Sequence, residues 1–172
     1  MTRFVVLLRG VNVGGVTVKM AELAEVLRGL GYSEVKTVLA SGNVVLETAD
    51  AASAVKADVE TALRDRFGYE AWVHVLTTAQ LQQIVDGYPF ERGRDGWHDY
   101  VMFTLDPQVR TALLAVETDP AAESTEGGTG VVYWTVERGN TLGSAIGKAS
   151  GKASYKQWLT TRNMNTLEKL LK

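Results

Sequence analysis

Residues 34–48, EVKTVLASGNVVLET, hold two β-rich runs on either side of a small polar break. β-branched and aliphatic residues mark two strands, Glu34–Leu39 and Asn43–Thr48. Ser41-Gly42 between them is turn or bulge chemistry, because glycine reaches backbone angles closed to other residues. Two strands so close in the chain pair antiparallel, since a parallel pair needs a crossover of a dozen or more residues.

Working outward, residues 4–8 (FVVLL) form a continuous apolar run, as expected of a strand buried on both faces. Met20, Leu23, Leu27 and Leu30 then recur at helical spacing, with Lys19, Glu22, Glu25 and Arg28 on the other side and Gly31 as C-cap. After the hairpin, Asp50 is expected to cap a helix whose apolar positions are Val55, Val59, Ala62, Leu63 and Phe67. Gly68 ends it, and residues 69–77 (YEAWVHVLT) read as a strand. The order β-α-β-β-α-β within 77 residues is that of the ferredoxin-like folds, in which two helices cover one face of an antiparallel sheet.

The second half repeats the alternation less cleanly. Thr78–Asp86 reads as a helix capped by Thr77 or Thr78, and residues 87–97 (GYPFERGRDGW) as a loop. A strand is expected over Asp99–Leu105, a short helix from Asp106-Pro107 to Leu114, and a strand over Ala115–Thr118. Residues 119–130 (DPAAESTEGGTG) have the composition of an exposed, mobile acidic loop, and residues 131–137 (VVYWTVE) that of a strand. Residues 142–159 are helical in places but punctured by glycines, and Asn165 with Glu168 reads as the capping box of a final helix. The fold expected is therefore α+β: two ferredoxin-like, βαββαβ-type halves with antiparallel sheets covered by helices. The first subdomain spans residues 1–77 and the second 78–172, packed as one compact unit. Self-similarity of the residues is too weak to prove duplication.

Composition narrows the chemistry. The 172 residues include no cysteine, which excludes disulfides, thiolate nucleophiles and cysteine-ligated zinc. The apolar run before Arg9 is only five residues long, Phe4 to Leu8, too short for a secretory signal or a membrane span, so a cytoplasmic protein without a membrane partner is expected. Net charge is −2 and uneven: residues 138–172 carry +6 and residues 1–137 carry −8. A basic end on an acidic body suits an anionic ligand or an intramolecular partner, although a solvated lysine face gives the same count.

Several motifs fail on inspection. Gly10 to Gly15 has the glycine spacing of a phosphate loop, but Val16 and Thr17 stand where Lys and a hydroxyl residue are required. The repeated GKAS spaces Lys148, Lys152 and Lys156 four apart, a weak stripe if helical. His74 and His98 make no metal spacing, and His98 and Asp99, adjacent on a strand, point to opposite faces. Asn43–Thr48 carries no aromatic and the first strand only Phe4, so the stacking platform of an RNA-binding sheet is missing and nucleic acid is disfavoured.

What remains is a polar set in apolar surroundings. Arg9 ends a strand, Asn12 sits among glycines, Ser41-Gly42-Asn43 occupies a bulge between strands, and Arg162 and Asn163 stand at a helix entrance. Two roles are open to it. Asn and Arg structure turns through backbone groups. Alternatively, Arg9 and Arg162 converge on a carboxylate or phosphate, with Asn12, Asn43 and a helix N-terminus adding hydrogen bonds.

The stretches RGVNVGG (9–15), KMAEL (19–23), SGNVV (41–45) and TTRN (160–163) resemble, in that order, the signature of a widespread bacterial family of unknown function. The resemblance spans nearly the whole chain and implies the two-part α+β fold, but no established reaction. Carried onto this sequence it marks Arg9, Gly10, Asn12, Gly14, Gly15, Lys19, Met20, Ser41, Gly42, Asn43, Arg162 and Asn163. The ligand-binding set expected is Arg9, Asn12, Gly14, Gly15, Lys19, Ser41, Asn43, Arg162 and Asn163, around a small anion in a polar pocket between the halves. Two other functions stay open. One is a hydrolase or transferase on a phosphorylated metabolite, with Lys19 or His98 carrying the proton; the other is a homo-oligomeric interaction module. No cofactor is indicated.

Overall fold

The structure, a computed structural model, describes residues 1–9 and 17–172. It divides into two compact units, Met1–Gln82 with Glu168–Lys172, and Gln83–Leu167. Each contains a four-stranded antiparallel sheet.

In the first unit the strands are β1 (Thr2–Leu8), β2 (Ser33–Val38), β3 (Asn43–Thr48) and β4 (Val73–Thr77), in the spatial order β2-β3-β1-β4. The helices are α1 (Met20–Gly29) and α2 (Ala52–Phe67), and α3 (Thr78–Asp86) follows β4 directly. Phe4, Val6, Leu8, Val44 and Leu46 pack with Leu23 and Leu27 of α1 and with Val55, Val59 and Leu63 of α2. Val5, Leu7, Val45 and Leu76, on the opposite face, are also buried. Burial on both faces is why β1 is an unbroken apolar run rather than an alternating one.

The amphipathic helix read upstream of the hairpin is α1, and Gly31 beyond it has φ 93°, a left-handed angle that a side chain would strain. The cap expected of Asp50 is absent: Ala51 is the N-cap of α2, and the Asp50 amide donates to Thr48 Oγ1. Instead α2 is held from its middle. Lys56 Nζ donates to Glu60 Oε2 (2.6 Å) and to the Val73 carbonyl (2.8 Å), while Glu60 Oε2 accepts the Val73 amide (3.0 Å). Thr77 and Gln80 exchange hydrogen bonds as a capping box that opens α3.

The second unit has β5 (Trp97–Thr104), β6 (Glu123–Gly128), β7 (Val131–Glu137) and β8 (Leu159–Asn163) in the order β6-β7-β5-β8, which is the first unit's order repeated. Its helices are α4 (Pro107–Leu114), capped by Asp106, and α5 (Ala145–Ser150); α6 (Met164–Leu170) follows β8 as α3 follows β4. The alternation that the residues repeat only loosely is matched strand for strand in the two sheets.

Ala115–Thr118 forms no strand, and the supposed acidic loop contains β6, paired with β7 from Glu123↔Val136 to Gly128↔Val131. The glycines that read as loop are what this strand needs. A Cβ on Gly127 would meet Arg110 Nη2 at 2.6 Å, and one on Gly128 would meet the Tyr133 ring at 2.7 Å. Arg110 thus reaches the Gly128 carbonyl (2.9 Å). Glu123, also read as exposed, is buried. It accepts hydrogen bonds from Trp134 Nε1 (3.0 Å) and from the Ala145 (2.9 Å) and Ile146 amides, fixing the start of α5.

α5 stops at Ser150, and Lys152 and Lys156 bracket a separate 3-10 turn, Ala153–Tyr155, so the three lysines form no stripe. Arg162 lies within β8, paired with Val101, two residues before α6 begins. α6 begins at Met164, and Asn163 Oδ1, not Asn165, accepts the capping amide, from Asn165 (2.8 Å). Among the described residues no helix is long and apolar enough to cross a membrane.

Candidate functional site

Arg9 stands where β1 leaves the first sheet. The Leu8 amide donates to the Gly42 carbonyl (2.8 Å), and the Arg9 amide to the Trp72 carbonyl (3.1 Å). The end of β1 is therefore clasped between the β2–β3 turn and the start of β4. Residues directly opposite in a sheet share a face, so Leu7, Asn43 and His74 lie on one side. Arg9, two residues beyond Leu7, falls on that side too, with Ser41 and Trp72 the next positions along the flanking segments. This is the face away from α1 and α2.

The guanidinium is half-buried, and its Nε is fully buried with no hydrogen-bond partner. No described carboxylate lies within ion-pair distance of it. Burial without a counter-charge lowers the Arg9 pKa from its ordinary value. A buried donor left unpaired costs about 1–3 kcal/mol, more when charged. Three other basic side chains of this unit avoid that cost: Arg28 reaches the Val35 carbonyl, Arg64 the Ala71 carbonyl and Lys56 the Val73 carbonyl. Tyr32 and Tyr69 hydroxyls are also unpartnered, and burial pushes both phenols up to about 12, but these are neutral groups within or against the core.

The turn beside Arg9 is built with care. Asn43 Nδ2 donates to the Val38 carbonyl (2.9 Å) and to Ser41 Oγ (2.8 Å), holding the turn closed. Gly42 has φ 85°, and Leu39, exposed, has φ 60°, a left-handed angle costly for a branched side chain. Asn43 thus shapes the site's wall. Lys19 is exposed at the N-cap position of α1, where its side chain makes no capping bond. Asn12, Gly14 and Gly15 lie outside the described residues.

Arg162 and Asn163 belong to the second unit. Arg162 is buried, and its Nη1 donates to Thr160 Oγ1 (2.6 Å) and the Thr161 carbonyl (3.0 Å). Much of its donor capacity serves its own strand. Trp72 is the neighbour that sequence reading missed; the alternation of residues 69–77 puts it on one face with His74, but only the register places it beside Arg9. Of the aromatics on the second sheet's central strands, Phe103, Tyr133 and Trp134 are buried, whereas Trp97 and Tyr100 of β5 are partly exposed.

The family described as protein of unknown function (DUF1697) matches residues 1–133. The chain belongs to the DUF1697 family. This DUF1697 protein is similar in structure to the conserved bacterial protein SP0830 from Streptococcus pneumoniae, with a TM-score of 0.83, 24% identity and 99% of each chain covered. That likeness establishes the shared fold. Protein BT0572 from Bacteroides thetaiotaomicron matches at a TM-score of 0.25 and 12% identity over 98% of this chain and 96% of its own, too distant to inform the reading. No curated protein matches the sequence.

Proposed function

We propose that this DUF1697 protein binds a small anionic ligand through Arg9 at the end of β1. The observation that carries the reading is the buried Arg9 Nε without an acceptor. A cation held in this condition disfavours the empty protein and favours the occupied one, because an incoming carboxylate or phosphate supplies both the acceptor and the counter-charge. Charge-assisted bonds to guanidinium are about twice as strong as neutral ones. The β2–β3 turn supports this reading by its rigidity: Asn43 and Gly42 hold a conformation that Leu39 adopts only under strain, and such strain collects at binding sites.

The test is calorimetric titration of the full chain with phosphate, sulfate, acetate and citrate. At least one anion is expected to bind saturably to the wild type and to lose its affinity at least tenfold in Arg9→Met. Equal affinity in both proteins, or no binding of any of the four, refutes the proposal.

A further inference from the structure

A cleft of about 370 Å3 opens within the second unit, at the end of its sheet where β5 begins and β7 and β8 finish. Three guanidinium-bearing residues line it, Arg92 and Arg94 from the loop before β5 and Arg138 from the residue after β7, together with Trp97, Asn163 and Asn165. We propose that this cleft is a second anion site, which takes a phosphorylated small molecule by its phosphoryl group.

The lining is built to stay in place. Asp99 accepts the Gly93 amide (3.1 Å) and the Tyr88 hydroxyl (2.8 Å), which anchors the arginine loop to β5. The Trp97 amide donates to the Arg94 carbonyl (3.1 Å), and the Arg138 amide to the Gly96 carbonyl (2.8 Å), tying the two arginine-bearing segments together. The Arg94 guanidinium lies 3.5 Å from the centre of the Trp97 ring, a cation–π contact that restricts its rotamers before any ligand arrives. Asn163 uses Oδ1 to cap α6, while its Nδ2 donates to no described residue. Such preorganisation reduces the ordering cost of binding.

The donor set selects the ligand class. Guanidinium groups present planar pairs of N–H donors, and those of Arg94 and Arg138 together already exceed what one carboxylate with two oxygens can accept. A phosphoryl group offers three terminal oxygens and up to two negative charges. Two carboxylates share the lining, Asp95 and Asp99; Asp99 is already held by Tyr88 and Gly93. The remaining balance is cationic, and the volume suits a small metabolite.

The test is titration of the full chain with inorganic pyrophosphate, followed by 1H–15N spectra, with acetate as the competing chemistry. Saturable shifts of the Trp97 indole and of the Asn163 and Asn165 side-chain amides are expected with pyrophosphate and not with acetate. Arg94 and Arg138 are exposed, so Arg94→Ala and Arg138→Ala preserve the fold; each is expected to weaken binding by roughly threefold to tenfold. Arg9→Met leaves these shifts unchanged, which separates this site from the one at β1. No saturable shift at millimolar pyrophosphate, an equal response to acetate, or affinity untouched by both arginine variants overturns the proposal.

Discussion

Replacing Arg9 by methionine separates an anion site from a structural arginine by the sign of its effect. Methionine keeps a long, flexible apolar stem and removes the buried Nε that has no partner. An unpaired buried donor costs about 1–3 kcal/mol, and the half-exposed position of the guanidinium places Arg9 at the lower end, about 1 kcal/mol. Removing it therefore stabilises the ligand-free protein by about that amount. For a chain of this length 1 kcal/mol moves Tm by about 2–4 °C. The assay is thermal unfolding in a buffer free of phosphate and sulfate, checked by urea denaturation so that the midpoint and its slope are read separately. A rise of a few degrees fits the account. A fall of similar size or more means that Arg9 is fastening loops, and the argument from its missing partner fails.

Glu123→Ala leaves Trp134 Nε1 and the Ala145 and Ile146 amides without their acceptor, so a loss of about 3–5 kcal/mol is expected in urea denaturation. Gly147→Ala drives a Cβ into the Thr141 carbonyl, a rigid backbone neighbour, and should cost about 2 kcal/mol or more by the same assay. Tyr32→Phe removes a buried hydroxyl with no partner; its stability should equal or exceed the wild type, and a clear loss would reveal a hidden acceptor. Tyr32 and Tyr69 titrate near 12 when folded and near 10 when unfolded, so the folded state holds protons longer. Their contribution is complete below pH 10 and falls away between 10 and 12, and phenolate absorbance should show late ionisation that unfolding abolishes.

The first sheet was legible because its central strands, β1 and β3, bury residues on both faces and so carry the continuous apolar runs of residues 4–8 and 44–46. The second was less so, and the reason lies in particular contacts. β6 is an edge strand whose glycines clear room for Arg110 and Tyr133, which makes its composition indistinguishable from a loop. β8 carries Thr160 and Arg162, buried polar residues whose hydrogen bonds no periodicity reveals. Arg9 stood out as a charge ending an apolar strand. Trp72 and the grouping of Arg92, Arg94, Arg138 and Asn163 depend on strand register and loop closure, which bring distant residues to one sheet end.

The most direct measurement follows the Arg9 Nε–Hε pair itself, by 1H–15N spectroscopy, while the four anions are titrated into the full chain. The account predicts a saturable downfield movement of that resonance with at least one of them, on the same isotherm that calorimetry records. A resonance that stays in place through every titration, or one already hydrogen-bonded in anion-free buffer, would contradict it.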